Sequence, residues 1–305
     1  MIPDNRFLKQ QWAWKHLGVE APPPRPGDPP HQTKPIPPEA PDIVVAVVDS
    51  GVNEHEDLAT LLPAHSVIAG DTRDDDDHGT ALAGTICGIT NFRSLVGGTS
   101  KVKILPVKFC SQQDPPSAAN AAKAIHFALE NKAKVIVLAW DCGYKSVELD
   151  SAIDAATYLA LIVAAAGNHA MDNDRHPNWP ANYSQTKSHV ITVMATDKND
   201  ERASFSNYGR TTVDMAAPGV DILTTVPYYG TPVAGSMIPV GYRYHRGTSA
   251  ATAHVARLAA LILARNPTWT PAQLKQHLRT KARRVPSKLS RFCVSGGIAD
   301  YRLAI

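Results

Sequence analysis

Three residues of this chain could together activate a hydroxyl for attack on a carbonyl. Asp49 closes the apolar run "IVVAVVD", His78 opens "HGTALAGTI", and Ser249 lies in "GTSAATAHVARLAALILAR". A serine hydroxyl is a weak nucleophile until an imidazole accepts its proton, and the imidazole works best when a carboxylate fixes its tautomer and stabilises its charged form. Singly, each residue has a plain structural use, as a turn residue, a histidine ahead of a helix, or an N-cap. The combination carries the chemistry. Gly51, Gly79 and Gly247 stand beside the three and permit tight turns and close approach of a substrate backbone. A helix beginning at Ser249 aims amide donors at the nucleophile. Acyl transfer also builds up an oxyanion, and losing one donor to it costs about 3 kcal/mol or more. Asn168, at the end of "VAAAGN", is the candidate side-chain donor.

Apolar runs and helical patterns alternate to hold these residues. The runs are "IVVAVVD" (43–49), "VKILPVK" (102–108), "KVIVLAW" (134–140), "LIVAAAG" (161–167) and "HVITVMAT" (189–196). Between them lie helical patterns such as "SAANAAKAIHFALENK" and "SVELDSAIDAATYLA". Strands that are apolar at consecutive positions are buried on both faces, which predicts a three-layer, doubly wound, mostly parallel α/β sheet with helices on both sides. Ligands of such sheets bind beyond the carboxyl ends of the strands, where Asp49, Trp140, Asp141 and Asn168 fall. Residues 1–20 read as the N-terminal segment of a single domain, the proline-rich stretch 21–42 as a surface linker, and 43–305 as the body of the domain.

Composition narrows the function classes. A formal net charge of +3, with both signs scattered along 305 residues, gives no basic stripe for nucleic acid. No apolar run is long enough for a bilayer, and "MIPDNRFLKQ" has no signal-peptide core. Cys87, Cys110, Cys142 and Cys293 form no C-x-x-C pair, and their number is compatible with two disulfides or with free thiols. Asp74 to Asp77, directly ahead of His78, are expected to form a solvated acidic loop whose negative field favours protonated His78 and basic substrates. A metal-dependent hydrolase on this run with His55, His65 and His78 is the weakest reading, because the chain lacks a His-Glu-x-x-His spacing.

Ten segments in order make the chain resemble the subtilisin-like serine proteases. They are "LKQQWAWKHLGV", "VVAVVDSGV", "HGTALAGTI", "VAAAGN", "WPANY", "SFSNYG", "DMAAPGVDILTT", "GTSAATAHVA", "NPTWTPAQLKQHL" and "GGIADYRLAI". The resemblance implies a serine endopeptidase with Asp49, His78 and Ser249 as triad, Asn168 in the oxyanion hole, and a polypeptide as substrate. It implies substrate-binding positions at Ala139, Trp140, Asp141, Gly143, Ala165 and Gly167, and a candidate calcium site at Asp57 and Asn91, with no cofactor for the chemistry. A pro-segment or inhibitor outside this chain is a further implied partner. The cytoplasm is expected if Met1 is the native start, and secretion if the chain is a trimmed mature form.

Two departures from that family stand out. Where relatives commonly read Asn-x-Ser-Leu-Gly-Gly, this chain reads "VIVLAWDCG" (135–143), so the pocket before the cut bond is reshaped. Asp141 there either selects a basic side chain, or points to solvent while Trp140 packs in the core. This altered strand motivates the alternative of a catalytically weak or inactive peptide-binding protein. Ala250 and Ala253 replace a common Met and Pro in the helix behind the serine, which predicts altered packing with the chemistry kept.

Overall fold

Each strand-forming run is apolar at consecutive positions, so both of its faces need cover. The computed structural model describes residues 12–17, 39–58, 60–88, 101–228, 238 and 240–305. The strands are β1 (Ile43–Asp49), β2 (His65–Ser66), β3 (Val102–Lys108), β4 (Val135–Leu138), β5 (Leu161–Ala165), β6 (Val190–Thr196), β7 (Met215–Pro218), β8 (Ile222–Thr225), β9 (Tyr242–His245), β10 (Arg283–Arg284) and β11 (Gly297–Ile298). The helices are α1 (Trp12–His16), α2 (His78–Cys87), α3 (Ala118–Glu130), α4 (Val147–Ala155), α5 (Thr248–Arg265), α6 (Pro271–Thr280), α7 (Pro286–Leu289) and α8 (Tyr301–Ala304). The main sheet has nine strands in the order β10-β11-β7-β6-β5-β4-β1-β3-β2. Every pairing in it is parallel except β10 with β11, while β8 and β9 form a separate antiparallel pair.

Alternation along each strand sorts the apolar side chains into two cores. Val45 and Val47 of β1 and Leu161 and Val163 of β5 join one cluster with α2 and α5. Their neighbours Ala46, Val48, Ile162 and Ala164 join the other, with α3 and α4. The result is the three-layer, mostly parallel architecture that the apolar runs predict. Helix α5 is buried at every position from Thr248 to Ala264, and its many alanines let it lie close against the sheet. Ala250 packs on Ala13 and Ile222, and Ala253 enters the main core. Trp14 and Leu17 enter that same core, while Trp12 Nε1 donates to Val220 O at 3.0 Å, so residues 12–17 pack on the body of the domain.

The elements end where hydrogen bonds redirect the chain. Helix α4 stops at Ala155, short of the expected 160, because Thr157 turns back to Asp154 O through N at 3.1 Å and Oγ1 at 2.6 Å. Strand β4 stops at Leu138, where Trp140 leaves the ladder and sends its indole N–H to Val48 O at 2.9 Å. Helix α5 begins at Thr248, with Gly247 rather than the serine as N-cap. Of the expected linker, only 39–42 lie within the described residues, and there Ala40 is buried with its carbonyl taking a bond from Lys101 Nζ at 2.6 Å. All four cysteines are free thiols.

Helix α2 crosses the end of β1 at a glycine. A methyl group on Gly79 would lie 1.9 Å from Gly51 O, an approach that backbone alone cannot yield. Gly79→Ala is therefore expected to cost about 3 kcal/mol or to prevent folding. A wild-type melting curve for this variant, measured by circular dichroism, would refute the close crossing.

Candidate active site

Asp49 ends a central strand and is 3% exposed, so its charge must be met by local donors. Its Oδ1 accepts from Ser50 N at 2.9 Å and lies 3.2 Å from Ser50 Oγ and 2.8 Å from His78 Nδ1, while Oδ2 is buried with no hydrogen-bond partner among the described residues. With Nδ1–H donating to Asp49, His78 presents Nε2 as the acceptor nitrogen. The imidazole keeps 26% of its side chain exposed, at the first position of α2.

The acidic run ahead of His78 is not a uniform solvated loop, which corrects the expectation from sequence. Asp74 is wholly buried: Oδ1 accepts from Ser50 Oγ at 2.8 Å and Asp76 N at 3.1 Å, and Oδ2 from Thr80 N at 2.8 Å and Thr80 Oγ1 at 2.5 Å. Because Ser50 Oγ also accepts from Gly79 N at 3.1 Å, one hydroxyl ties Asp49, Asp74 and the start of α2 together. Asp75 pairs with the buried Lys108, whose Nζ also reaches Ser50 O at 2.9 Å and Arg73 O at 2.6 Å. Asp77 pairs with Arg243 at 2.9 Å. Only Asp76 is exposed without an ion pair to a described residue.

Electrostatics at the base follow from this arrangement. Burial disfavours the imidazolium of His78, but the Asp49 carboxylate, beside it and hydrogen-bonded to it, outweighs that effect together with Asp76 and Asp74, so the His78 pKa is raised. Burial raises the carboxyl of Asp74 against the pull of its Thr80, Ser50 and Asp76 donors.

Ser249 occupies the second position of α5 and is 3% exposed. Gly247 ahead of it has φ 149°, and a Cβ there would sit 2.8 Å from Ser249 Oγ, so a side chain would crowd that hydroxyl. The exposed residue Asn168 takes over the capping of α5: its Oδ1 accepts from Thr248 N at 2.8 Å and Thr248 Oγ1 at 3.1 Å. Anchoring Oδ1 in this way fixes the amide and leaves its NH2 as the outward group.

Sequence reasoning missed the support of that loop. Asn207 Oδ1 accepts from His169 N at 2.9 Å and Met171 N at 3.0 Å, and Asn207 Nδ2 donates to Asn173 Oδ1 at 3.0 Å. Asn173 and Asn178 both donate to Ala166 O, at 2.9 and 3.1 Å. Gly167 has φ 108°, and a Cβ there would lie 2.5 Å from Asn207 Nδ2. The available signal was the pair of segments "WPANY" and "SFSNYG", which supply Asn182 and Asn207. A second omission is His245, whose ring centroid lies 5.3 Å from that of His78.

The remaining expected residues line the ends of β4 and β5. Ala139 and Ala165 are buried, and Gly143 is exposed with φ 69°. Trp140 is half-buried and packs on Phe109 with ring centroids 4.7 Å apart. Asp141 is half-buried and makes no hydrogen bond or ion pair with any described residue. The candidate calcium residues are described only in part. Asp57 is wholly buried with Oδ2 accepting from Tyr242 Oη at 2.9 Å, Asn91 lies outside the described residues, and no group of three or more His, Cys, Asp or Glu converges among those described. The same holds for the metal-hydrolase reading: His55 is engaged with Gly241 O and Asp57 N, and His65 stacks on Phe127.

Comparison with known proteins adds the following. Residues 40–296 match the Subtilase family. The chain is 34% identical over 243 residues to Subtilisin Savinase of Lederbergia lenta, covering 79% of this chain and 83% of that protein. It is also 34% identical over 244 residues to Alkaline elastase YaB of Bacillus sp. (strain YaB), covering 78% of this chain but 58% of that protein. Thus the chain spans under two thirds of the length of several curated relatives that it matches. Among solved structures, a protease from Pseudoalteromonas arctica superposes with TM-score 0.81 at 26% identity, covering 100% of this chain and 98% of that one. A cold adapted subtilisin-like serine proteinase gives TM-score 0.71 at 28% identity, with 86% and 90% covered.

Asp76 raises the His78 pKa through space, and a His78 acting as base would have to be neutral. Asp76→Asn is therefore expected to shift the acidic limb of kcat/KM to lower pH, with the plateau unchanged. A limb that stays in place or moves to higher pH would contradict this electrostatic account.

Proposed function

From the premise that the chain belongs to the subtilase family, we propose that it is a serine endopeptidase acting through Asp49, His78 and Ser249. The observation that carries this reading is the 2.8 Å bond between Asp49 Oδ1 and His78 Nδ1 at the carboxyl end of the sheet. Ser249 Oγ attacks the peptide carbonyl while His78 Nε2 takes its proton, and Asp49 stabilises the imidazolium so formed. The carbonyl oxygen becomes an oxyanion held by Asn168 Nδ2 and the Ser249 amide, near the start of α5. His78 then returns the proton to the leaving amine, giving an acyl-enzyme on Ser249. Water, deprotonated by His78, attacks the ester carbonyl, and the second collapse releases the acid and restores the hydroxyl.

Substrate is a polypeptide laid across the ends of β4 and β5, with Ala139, Gly143, Ala165 and Gly167 lining the pocket before the cut bond. Trp140 supports that wall from the core side. Asp141, with its carboxylate free of described partners, selects a basic residue. Subtilases need no cofactor for catalysis, and calcium binding is common in the family.

A fluorophosphonate probe is expected to label Ser249 and to lose that label in Ser249→Ala. Asn168→Ala is expected to keep the label but lower kcat by about 10²- to 10³-fold. A folded wild type that neither labels nor cleaves any peptide library would instead favour a peptide-binding protein. In cleavage profiling on a proteome-derived peptide library, Asp141→Gly is expected to weaken a preference for Lys or Arg before the cut. An unchanged profile would remove Asp141 from the pocket.

A further inference from the structure

Strand β9 brings a second imidazole to the base. His245 ends β9, is 8% exposed, and meets His78 edge to face, with ring centroids 5.3 Å apart and planes at 88°. Its backbone is paired with Ile222 of β8. Strand β8 in turn is fastened to α2, since Thr224 Oγ1 donates to Ala81 O at 2.6 Å and Thr225 Oγ1 to Thr80 O at 2.8 Å. Two residues before His245, Arg243 Nη1 reaches Asp77 Oδ2 at 2.9 Å, on the residue that immediately precedes His78. Four residues after it comes Ser249. A single stretch of chain therefore carries the nucleophile and also touches the base.

Charge on His245 is suppressed. Burial, then the neighbouring His78 and Arg243, push its pKa down to about 3, against a smaller opposing pull from Asp49. Its Nδ1 is buried and has no hydrogen-bond partner among the described residues. Packing therefore holds this ring, and at neutral pH it adds no positive charge beside the base.

We propose that His245 is a positioning residue for the reaction, its ring walling the side of His78 that Asp49 does not hold. The proposal rests on the serine-protease reading above. One hydrogen bond at Nδ1 fixes the direction of the imidazole but leaves the ring free to rock about that bond. An edge-to-face neighbour limits this freedom and, on the serine-protease reading, holds Nε2 in place to serve Ser249. The groups facing His78 are Asp49 from β1, Asp74 and Asp76 from the segment ahead of α2, and His245 from β9. Three of these are acidic, so the neutral wall excludes water without opposing their field.

Two variants test this on the full chain, with wild-type labelling at Ser249 by a fluorophosphonate as reference. His245→Ala is expected to lower kcat on the order of tenfold with KM little changed. By readmitting water beside His78 it lessens the burial effect, so the acidic limb of kcat/KM moves to higher pH. His245→Phe keeps a flat ring and is expected to restore both kcat and the position of the limb. An alanine variant that melts like wild type and keeps its kcat and pH limb would overturn the proposal, as would a phenylalanine variant impaired in kcat like alanine. If the alanine variant does not fold, the phenylalanine variant alone decides. A folded wild type that takes no label would instead overturn the triad reading, so the two failures are distinguishable.

Discussion

A carboxylate buried at the end of a central strand is costly unless it is hydrogen-bonded or paired. Asp49 is such a group, at 3% exposure, and the site depends on how its charge is met. The cation adjacent in register, Lys108, is directed to Ser50 O, Arg73 O and Asp75. Asp49 is left to Ser50 and His78, which keeps the imidazole as its one titratable partner among the described residues. A direct lysine bond would have weakened the pull of Asp49 on His78.

That demand spreads outward through short polar links. Ser50 Oγ joins Asp49 to Asp74, Asp74 holds Thr80 in the first turn of α2, and the Gly79 crossing lets α2 approach β1 closely enough for the links to close. The start of α5, which carries Ser249, is held by a different device. Asn168 caps α5 with its carbonyl oxygen, and buried asparagines fix the loop that carries it. Rigid strand ends and helix starts thus set the positions, while side-chain amides set the angles. Asp49, His78 and Ser249 each sit on an element whose own burial is extensive.

Much of this was legible in the sequence because it rests on local pattern. Strands β1 and β3 coincide with their apolar runs, since continuous apolar residues have few alternatives to a strand covered on both faces. Asp49, His78 and Ser249 stand out in the sequence by residue type and by lying at the end of a strand or in the first turn of a helix. Asp74 was not, because its burial depends on the hydroxyls of Ser50 and Thr80, and in sequence it looks like any member of a charged run. Trp140 was left between two readings for a similar reason: its indole answers to Val48 O on the neighbouring strand, a contact that spacing does not encode. His245 escaped because pairing with β8 places it beside His78, far from it in sequence. The asparagines under Gly167 likewise act through tertiary contacts that pattern alone does not reveal.

The account turns on Asp49 holding the Nδ1 proton of His78. Proton NMR of the ¹⁵N-histidine-labelled protein across a pH series reads that proton and the titration of the ring together. The expected result is a downfield Nδ1–H resonance for His78, present on both sides of a titration whose midpoint lies above the ordinary imidazole value of about 6.5, and absent in Asp49→Ala. A midpoint below that value, or a resonance unchanged by Asp49→Ala, would contradict the account.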